Sequence, residues 1–300
     1  MGIVQSLARI VTGRVEQDAL MAAYTTLGVG GPADYLVEPR SEDELCALMQ
    51  HISDNHMPWM LLGDGANLLV ADKGIRGVVI LLGDGFTHIK VDDLTLTAGA
   101  AARISAAADA AAKHSLSGLE GAGTVPGTVG GAVVMNAGTH RGYIDEILVS
   151  VSIVTESGER RVLSRQECGF TYRGSRFQTD RSLIITRAEF ALRPGNGAEI
   201  QSHLDEVRKH RAASQPQGRS AGCFFKNPEG QSAGKLIELA GGKGLRQGGA
   251  LVSDIHANFI LNDSDATAQD LRALAERVRQ MVMDKHGVLL EYEVRLVGEW

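Results

Sequence analysis

Glycine is the residue type whose placement points most directly at chemistry. The 300-residue chain holds 36 glycines, above the usual share of roughly 7%. They gather at 28–31, 63–67 and 118–131 rather than spreading evenly. A backbone without Cβ can approach an anion closely and aim successive N–H groups at it, so such loops suit phosphate. Gly28-Val29-Gly30-Gly31-Pro32-Ala33 matches the dinucleotide string G-x-G-x-x-A. That fingerprint must leave a strand and open a helix, whereas Pro32-Ala33 leads into the extended Asp34-Tyr35-Leu36-Val37. The Gly-Lys-Ser/Thr of a P-loop is absent as well. Each loop alone is an ordinary tight turn. Three together, each beside a strand and one carrying six glycines between Gly118 and Gly131, predict a long phosphate-bearing cofactor. A dinucleotide such as FAD is long enough to touch several of them.

Other reactive side chains are sparse. Cys46, Cys168 and Cys223 are odd in number, widely spaced and lack a Cys-x-x-Cys pair, which disfavours a disulfide framework and structural zinc. The nine histidines show no His-Glu-x-x-His spacing, so no metal is expected. By residue type alone, a lone cysteine packs as a small hydrophobe. The arginines of Tyr172-Arg173-Gly174-Ser175-Arg176 read as solvated charges, and Glu291, Glu293 and Arg295 as an exposed ion-pair ladder on one face of a strand.

These groups need elements to hold them. Ser41-Glu42-Asp43-Glu44 has the form of a capping box and opens a helix to about Asn55. Pro58 to Leu62 reads as a buried strand running into Gly63-Asp64-Gly65-Ala66-Asn67-Leu68, and Gly77 to Leu82 as another. Ala102 to His114, nearly all alanine, predicts a helix narrow enough to pack closely on a sheet. Strands follow near 147–155 and 183–192, and Arg193-Pro194-Gly195-Asn196-Gly197 reads as a linker. Beyond it, Ala198 to Ala213 and Thr267 to His286 are helical, the second with Leu271, Leu274, Ala275, Val278, Met281 and Val282 on one face. Gly287 stops that helix, and Leu290, Tyr292, Val294 and Leu296 alternate as a strand. The expected organisation is two α+β domains in sequence, 1–195 (with parts of about 1–80 and 81–195) and 196–300.

With 44% hydrophobic and 22% charged residues the chain is globular rather than disordered. Its net charge of −6 repels a phosphate backbone and argues against nucleic acid as a main partner. The longest apolar runs, such as Val78 to Leu82, are too short to cross a bilayer. Residues 1–20 lack a signal-peptide pattern, so a cytoplasmic protein is expected.

Gly63-Asp64-Gly65-Ala66-Asn67-Leu68-Leu69-Val70 and Pro126-Gly127-Thr128-Val129-Gly130-Gly131-Ala132, through Met135-Asn136-Ala137-Gly138, closely resemble the UDP-N-acetylenolpyruvoylglucosamine reductase (MurB) family of bacterial cell-wall synthesis. The likeness continues through Tyr172-Arg173-Gly174-Ser175, Ser220-Ala221-Gly222-Cys223-Phe224-Phe225-Lys226-Asn227-Pro228 and Gly248-Gly249-Ala250. It runs on through His256-Ala257-Asn258-Phe259-Ile260 and Glu291-Tyr292-Glu293-Val294-Arg295, covering about residues 20–298 in order and spacing. The compact ordering is similar to the shorter of the family's two types. The resemblance implies an α+β fold: a two-part FAD-binding domain of the vanillyl-alcohol-oxidase (PCMH) type, then a C-terminal α+β substrate domain. It implies noncovalent FAD held by Gly63, Asp64, Gly65, Ala66, Asn67, Leu68, Gly123, Pro126, Gly127, Thr128, Gly130, Gly131 and Asn136, with NADPH as hydride donor. The implied reaction reduces an enolpyruvyl ether on a UDP-sugar to UDP-N-acetylmuramate, for peptidoglycan. A monomer without nucleic-acid or membrane partners is expected.

Hydride addition to the terminal methylene leaves negative charge on the adjacent carbon and its carboxylate. The resemblance places Arg173 at that carboxylate, where a guanidinium offers a fixed fork of donors. It selects Glu293 as a protonated or shared-proton carboxyl that hydrogen-bonds the developing enolic oxygen. It puts the carbon-protonating acid at Cys223. A thiol, with a reference pKa near ~8.5, is a far stronger acid than a hydroxyl, and it must be protonated when substrate arrives, so nearby Lys226 must not depress its pKa much. Tyr172, Lys226, Asn227, His256 and Asn258 are the implied substrate-binding residues. The chain departs from the family pattern at Thr124, commonly glycine, and at Ala66 and Cys223, both often serine. Two readings stand beside this one. A flavin oxidase of the same superfamily acting on another substrate gives the Arg173, Cys223 and Glu293 set no reason to exist. A non-catalytic FAD or UDP-sugar binding module would tolerate loss of Cys223 and Glu293.

Overall fold

The computed structural model describes residues 2–139 and 142–300. The chain forms two compact units, neither continuous in sequence: Met1–Gln17, Tyr35–Gly63 and Gly77–Arg208 make the first, and Asp18–Asp34, Asp64–Arg76 and Lys209–Trp300 the second. The last crossing lies inside the helix Gly197–Ser214. The boundary expected at 195/196 therefore falls within the first unit.

In the first unit an antiparallel sheet runs in the order Arg160–Ser164, Leu148–Thr155, Leu183–Ala191, Thr95–Gly99, Ile89–Asp92. The second half of Leu183–Ala191 shows the period-2 burial of a half-covered sheet, with Ala188 and Phe190 buried and Arg187 and Ala191 exposed, whereas Ile184, Ile185 and Thr186 are all buried. The alanine-rich segment is the helix Ile104–Lys113, which buries Ile104, Ala107, Ala108, Ala111 and Ala112 against Thr95–Gly99 and Ile89–Asp92. The helix Glu42–Asp54 contributes Leu45, Leu48, Met49 and Ile52 to the same core. Its cap is half of the expected box. Ser41 Oγ accepts the Glu44 N–H at 3.2 Å, but the Glu44 carboxylate takes the N–H of Arg40, at 2.7 Å, instead of that of Ser41. Trp59–Leu62 pairs in parallel with residues 78–81.

The segment expected as a linker is bound into this unit. Arg193–Pro194 pairs with Leu116–Ser117, the Gly195 N–H reaches the Ser115 carbonyl at 2.8 Å, and Gly197 opens the next helix. Proline and glycine there mark a turn between elements of one unit.

The second unit holds an antiparallel sheet ordered Arg219–Cys223, Phe259–Asn262, Ala250–Val252, Arg246–Gln247. The helix Ala268–His286 starts at a full capping box of Thr267 and Asp270 and ends at Gly287 with φ +67°. It buries Leu271, Leu274, Ala275, Val278 and Val282. Leu27, Val29 and Leu69, from two N-terminal excursions, complete that core. The alternating 290–296 segment is less regular than its pattern predicts. Only Arg295–Val297 is a strand, parallel to Leu68–Val70, with an isolated bridge from Tyr292 to Phe225. The N–H groups of Glu293 and Val294 both converge on the Phe224 carbonyl, at 3.0 and 3.3 Å, which a regular ladder does not allow. Glu291, Glu293 and Arg295 therefore do not share one regular strand, since Arg295 alone of the three belongs to one. Among the described residues no helix is long and apolar enough to cross a membrane.

Candidate active site

The three glycine loops serve different purposes. A Cβ on Gly31 would fall on the Asp72 carbonyl, and one on Gly30 would lie 2.8 Å from Val70 Cβ. Loop 28–31 is thus closed by the residues packed on it, the Arg219 side chain at Gly28, Val70 at Gly30 and the Asp72 backbone at Gly31, and is not the phosphate loop that its sequence suggests. Gly65 (φ +63°) packs on the Tyr24 carbonyl, Gly123 on Ala108 and Gly130 on Ala100. Gly63 and Gly131 differ. A Cβ on either would meet only Thr128 Oγ1, at 3.4 Å, and one on Gly127 would meet nothing within 4 Å. Three missing side chains therefore leave open space around one hydroxyl, itself fixed by accepting the Gly131 N–H at 3.2 Å. A cradle of this kind fits the diphosphate of a bound dinucleotide. Pro126 beside it is exposed and Asp64 and Ala66 are half-buried, whereas Leu68 is in the core.

Asn136, expected at the cofactor, is buried and engaged at both ends of its amide. Nδ2 donates to the Thr171 carbonyl at 3.1 Å and Oδ1 accepts the Asp145 N–H at 3.0 Å. It fastens the Thr171–Gly174 turn, which Ser175 Oγ ties to the Val134 carbonyl at 2.8 Å and Gln178 Nε2 to the Arg173 carbonyl at 3.0 Å. Arg173 sits on this turn with φ +55°. Its Nη1 donates to the Gly138 carbonyl at 3.1 Å, and its guanidinium carbon lies 5.8 Å from the Tyr172 ring centre and 6.0 Å from that of Tyr143. Tyr172 is 61% exposed. Tyr143 was not among the sequence candidates, and nothing in its spacing ties it to a turn 30 residues downstream.

Cys223 and Glu293 belong to the second unit and lie on neighbouring segments. Cys223 ends its strand opposite Phe259, just past a bulge at Gly222 (φ +76°), and bulges re-aim the side chain that follows. The next residue, Phe224, accepts the Glu293 N–H. Asn67 holds the other side: Nδ2 donates to the Glu293 carbonyl at 3.0 Å, and its own carbonyl accepts the Arg295 N–H at 3.0 Å. Tyr292, beside Glu293, packs its ring 5.4 Å from that of Phe225 and donates to Glu276 Oε1 at 2.8 Å. Burial, then the Glu276 carboxylate, push the Tyr292 hydroxyl well above its ordinary range, so it stays a donor.

The expected substrate residues divide. Lys226 is half-buried and makes a loose 3.4 Å pair with exposed Glu291. Asn227 is exposed, with Oδ1 accepting the Ala233 N–H at 3.0 Å. His256 is half-buried. Its Nδ1 accepts the Asn258 N–H at 3.2 Å, its ring packs 4.9 Å from Phe259, and burial lowers its pKa, which keeps it neutral. Asn258, at 2% exposure, is out of reach of any ligand and bonds the backbone of Phe225. Asn258 is scaffold, a correction to its expected role.

Two family models match the chain, one described as the FAD binding domain over residues 33–164 and one as the UDP-N-acetylenolpyruvoylglucosamine reductase C-terminal domain over residues 214–297. The structure of BBE-like 1 from Physcomitrella patens is 16% identical with a TM-score of 0.51, over 65% of this chain and 45% of that one, a likeness of fold alone. Together these define an α+β flavoprotein with an FAD-binding domain and a further C-terminal domain, as the sequence leads one to expect. The likeness then narrows. The UDP-N-acetylenolpyruvylglucosamine reductase of Thermus caldophilus is 40% identical with a TM-score of 0.82, over 94% of this chain and 98% of that one. UDP-N-acetylenolpyruvoylglucosamine reductase of Carboxydothermus hydrogenoformans is 40% identical over 98% of both chains. The chain belongs to the UDP-N-acetylenolpyruvoylglucosamine reductase family.

Proposed function

We propose that the chain is the FAD- and NADPH-dependent reductase that converts the enolpyruvyl ether of UDP-N-acetylglucosamine to UDP-N-acetylmuramate in peptidoglycan precursor synthesis. The geometric support is the seam on which a thiol and a carboxyl share one backbone junction, Cys223-Phe224 with Glu293. Bound FAD supplies the hydride relay from nicotinamide to the methylene carbon. In the first unit, Gly63, Gly127, Thr128 and Gly131 hold its diphosphate, and Arg173 grips the substrate carboxylate through the fork of its guanidinium. In the second unit, Cys223 Sγ delivers the proton to the neighbouring carbon, and the Glu293 carboxyl, protonated, hydrogen-bonds the oxygen on which charge develops. Tyr172 covers the substrate, and Lys226 with Asn227 binds its UDP-sugar part. The protein acts as a cytoplasmic monomer, which size-exclusion chromatography of the purified enzyme checks.

The test is spectroscopic and kinetic. The purified chain should carry a flavin spectrum and consume NADPH only when the enolpyruvyl UDP-sugar is present. In Cys223→Ala, reduction of the flavin by NADPH should persist while reoxidation by substrate slows by roughly 10²-fold or more, the usual range for a lost general acid. Reoxidation at the parent rate sinks the assignment of the acid. Rapid reoxidation by oxygen without substrate would favour an oxidase.

A further inference from the structure

Asn258 is 2% exposed, and both ends of its amide are engaged on one residue. Oδ1 accepts the Phe225 N–H at 3.0 Å and Nδ2 donates to the Phe225 carbonyl at 2.8 Å. A primary amide offers a donor and an acceptor in one plane, which closing such a ring requires. A backbone bond is added when the Phe224 N–H reaches the Asn258 carbonyl at 2.8 Å. Phe224 and Phe225 follow Cys223 directly, and it is Phe224 whose carbonyl receives the Glu293 N–H. Phe225 in turn bridges Tyr292. One buried side chain therefore fixes the two residues to which the thiol's and the carboxyl's segments are both fastened. The ladder upstream cannot do this alone, because the bulge between Ser220 and Cys223 interrupts it immediately before the thiol.

From this geometry we infer that Asn258 is a positioning residue for the thiol of Cys223 and, through the Phe224 carbonyl, for Glu293, fixing the direction from which the substrate carbon is protonated. It acts through these two residues and touches neither substrate nor cofactor. The inference rests on Cys223 being the acid, and the test separates the two.

The full-length flavin-loaded enzyme is compared as parent, Asn258→Ala, Asn258→Asp, Cys223→Ala and the double variant Cys223→Ala/Asn258→Ala, with the two flavin half-reactions followed by stopped flow. Asn258→Ala should slow reoxidation by the enolpyruvyl UDP-sugar roughly 10- to 100-fold, as small displacements of a reacting group do, and affect reduction by NADPH far less. Asn258→Asp keeps the shape. As a carboxylate it can only accept and faces the Phe225 carbonyl, but once protonated it donates there again. Burial favours the protonated form, so its reoxidation rate should climb back toward the parent as pH falls from about 8 to 6. In the Cys223→Ala background, Asn258→Ala should cost several-fold less than it costs the parent, the remainder being its effect through Glu293, because coupled residues are not additive. Alkylation of Cys223 by iodoacetamide, read by mass spectrometry, should change several-fold in Asn258→Ala. Parent-like reoxidation in both Asn258 variants, or a slowing that is equal in both half-reactions and additive with Cys223→Ala, overturns the inference. Parent-like reoxidation in Cys223→Ala overturns the acid assignment and the inference with it. Should Asn258→Ala fail to fold, a flat pH profile of Asn258→Asp is decisive against it.

Discussion

Arg173 is held with φ at +55°. The other non-glycine residues with positive φ among the described residues are Asp18, His56, Asp93, Ser115, Asn136 and Asp265, short polar or histidine side chains that occupy this region more readily. A long arginine gains nothing locally from it, and holding it there costs of order 1 kcal/mol. The strain aims the guanidinium at the Gly138 carbonyl and the rings of Tyr172 and Tyr143. Arg173→Lys keeps the charge but loses the fork. Reoxidation by substrate should fall about 10²-fold, with flavin content and melting temperature close to the parent, and loss of flavin instead would assign the residue to the cofactor. The motif Tyr172-Arg173-Gly174-Ser175 made this arginine visible in sequence, but not its strain, since Gly174 is the residue a reader would give the positive φ. Cys168 makes the contrasting case. It is fully buried, its Sγ lies 3.3 Å from the Ser164 carbonyl, and burial pushes its thiol from 9.0 to about 11. A proton retained by the folded state but lost by the unfolded one makes stability fall as pH rises between those values, by up to roughly 3 kcal/mol. Thermal melts from pH 8 to 11 should show a shallower decline for Cys168→Ala than for the parent, and parallel declines would refute this.

At the scale of elements, the helical periods over 42–55, 102–114 and 267–286 were legible because amphipathic spacing and capping residues act within a few residues of each other. Glycine loops were less so. A cluster records where Cβ is missing, not whether backbone or ligand takes the space. Gly31 and Gly131 separate the two uses. Gly31→Ala forces a methyl onto the Asp72 carbonyl and should cost at least about 2 kcal/mol, read as a lower midpoint in urea. Gly131→Ala lies in the helix Val129–Val134, with only the Thr128 hydroxyl near the added methyl, at 3.4 Å. It should leave the fold as stable or up to ~1 kcal/mol more so, while weakening FAD binding by roughly tenfold, about 1.4 kcal/mol. A Gly131→Ala protein that retains flavin as the parent does would remove this loop from the phosphate cradle. The 290–296 segment shows the same limit from the other side. Its alternation did foretell that Leu290 and Val294 are buried, but no local pattern reveals that two of its N–H groups share the Phe224 carbonyl.

For the whole molecule, a boundary read along the chain assumes that each domain is one stretch, and here neither unit is. The core around Leu271, Leu274, Val278 and Ile260 includes Leu27, Val29 and Leu69. Asn262 Nδ2 donates to the Leu27 carbonyl at 3.0 Å, and the Asp72 carboxylate takes the Ala268 and Gln269 N–H groups, at 2.8 and 3.0 Å, at the start of the long helix. Leu68–Val70 is the partner of Arg295–Val297. None of these links has a signature in sequence, because the residues concerned lie some 200 positions from their partners and look like ordinary loop and strand. The fragment 209–300 would therefore lack three buried apolar side chains, each worth about 2 kcal/mol, together with a helix cap and a strand partner. The shortfall is comparable to the whole stability of a typical domain, about 5–15 kcal/mol. Expressed alone, the fragment should show a weak far-UV signal, narrow amide dispersion in a proton–nitrogen spectrum and no cooperative melt. The same fragment joined through flexible linkers to residues 18–34 and 64–76 should recover a sigmoidal transition. If 209–300 melts cooperatively with wide amide dispersion on its own, the N-terminal excursions are decoration on a self-sufficient domain, and the interleaved architecture is not what stabilises the segment that carries Cys223 and Glu293.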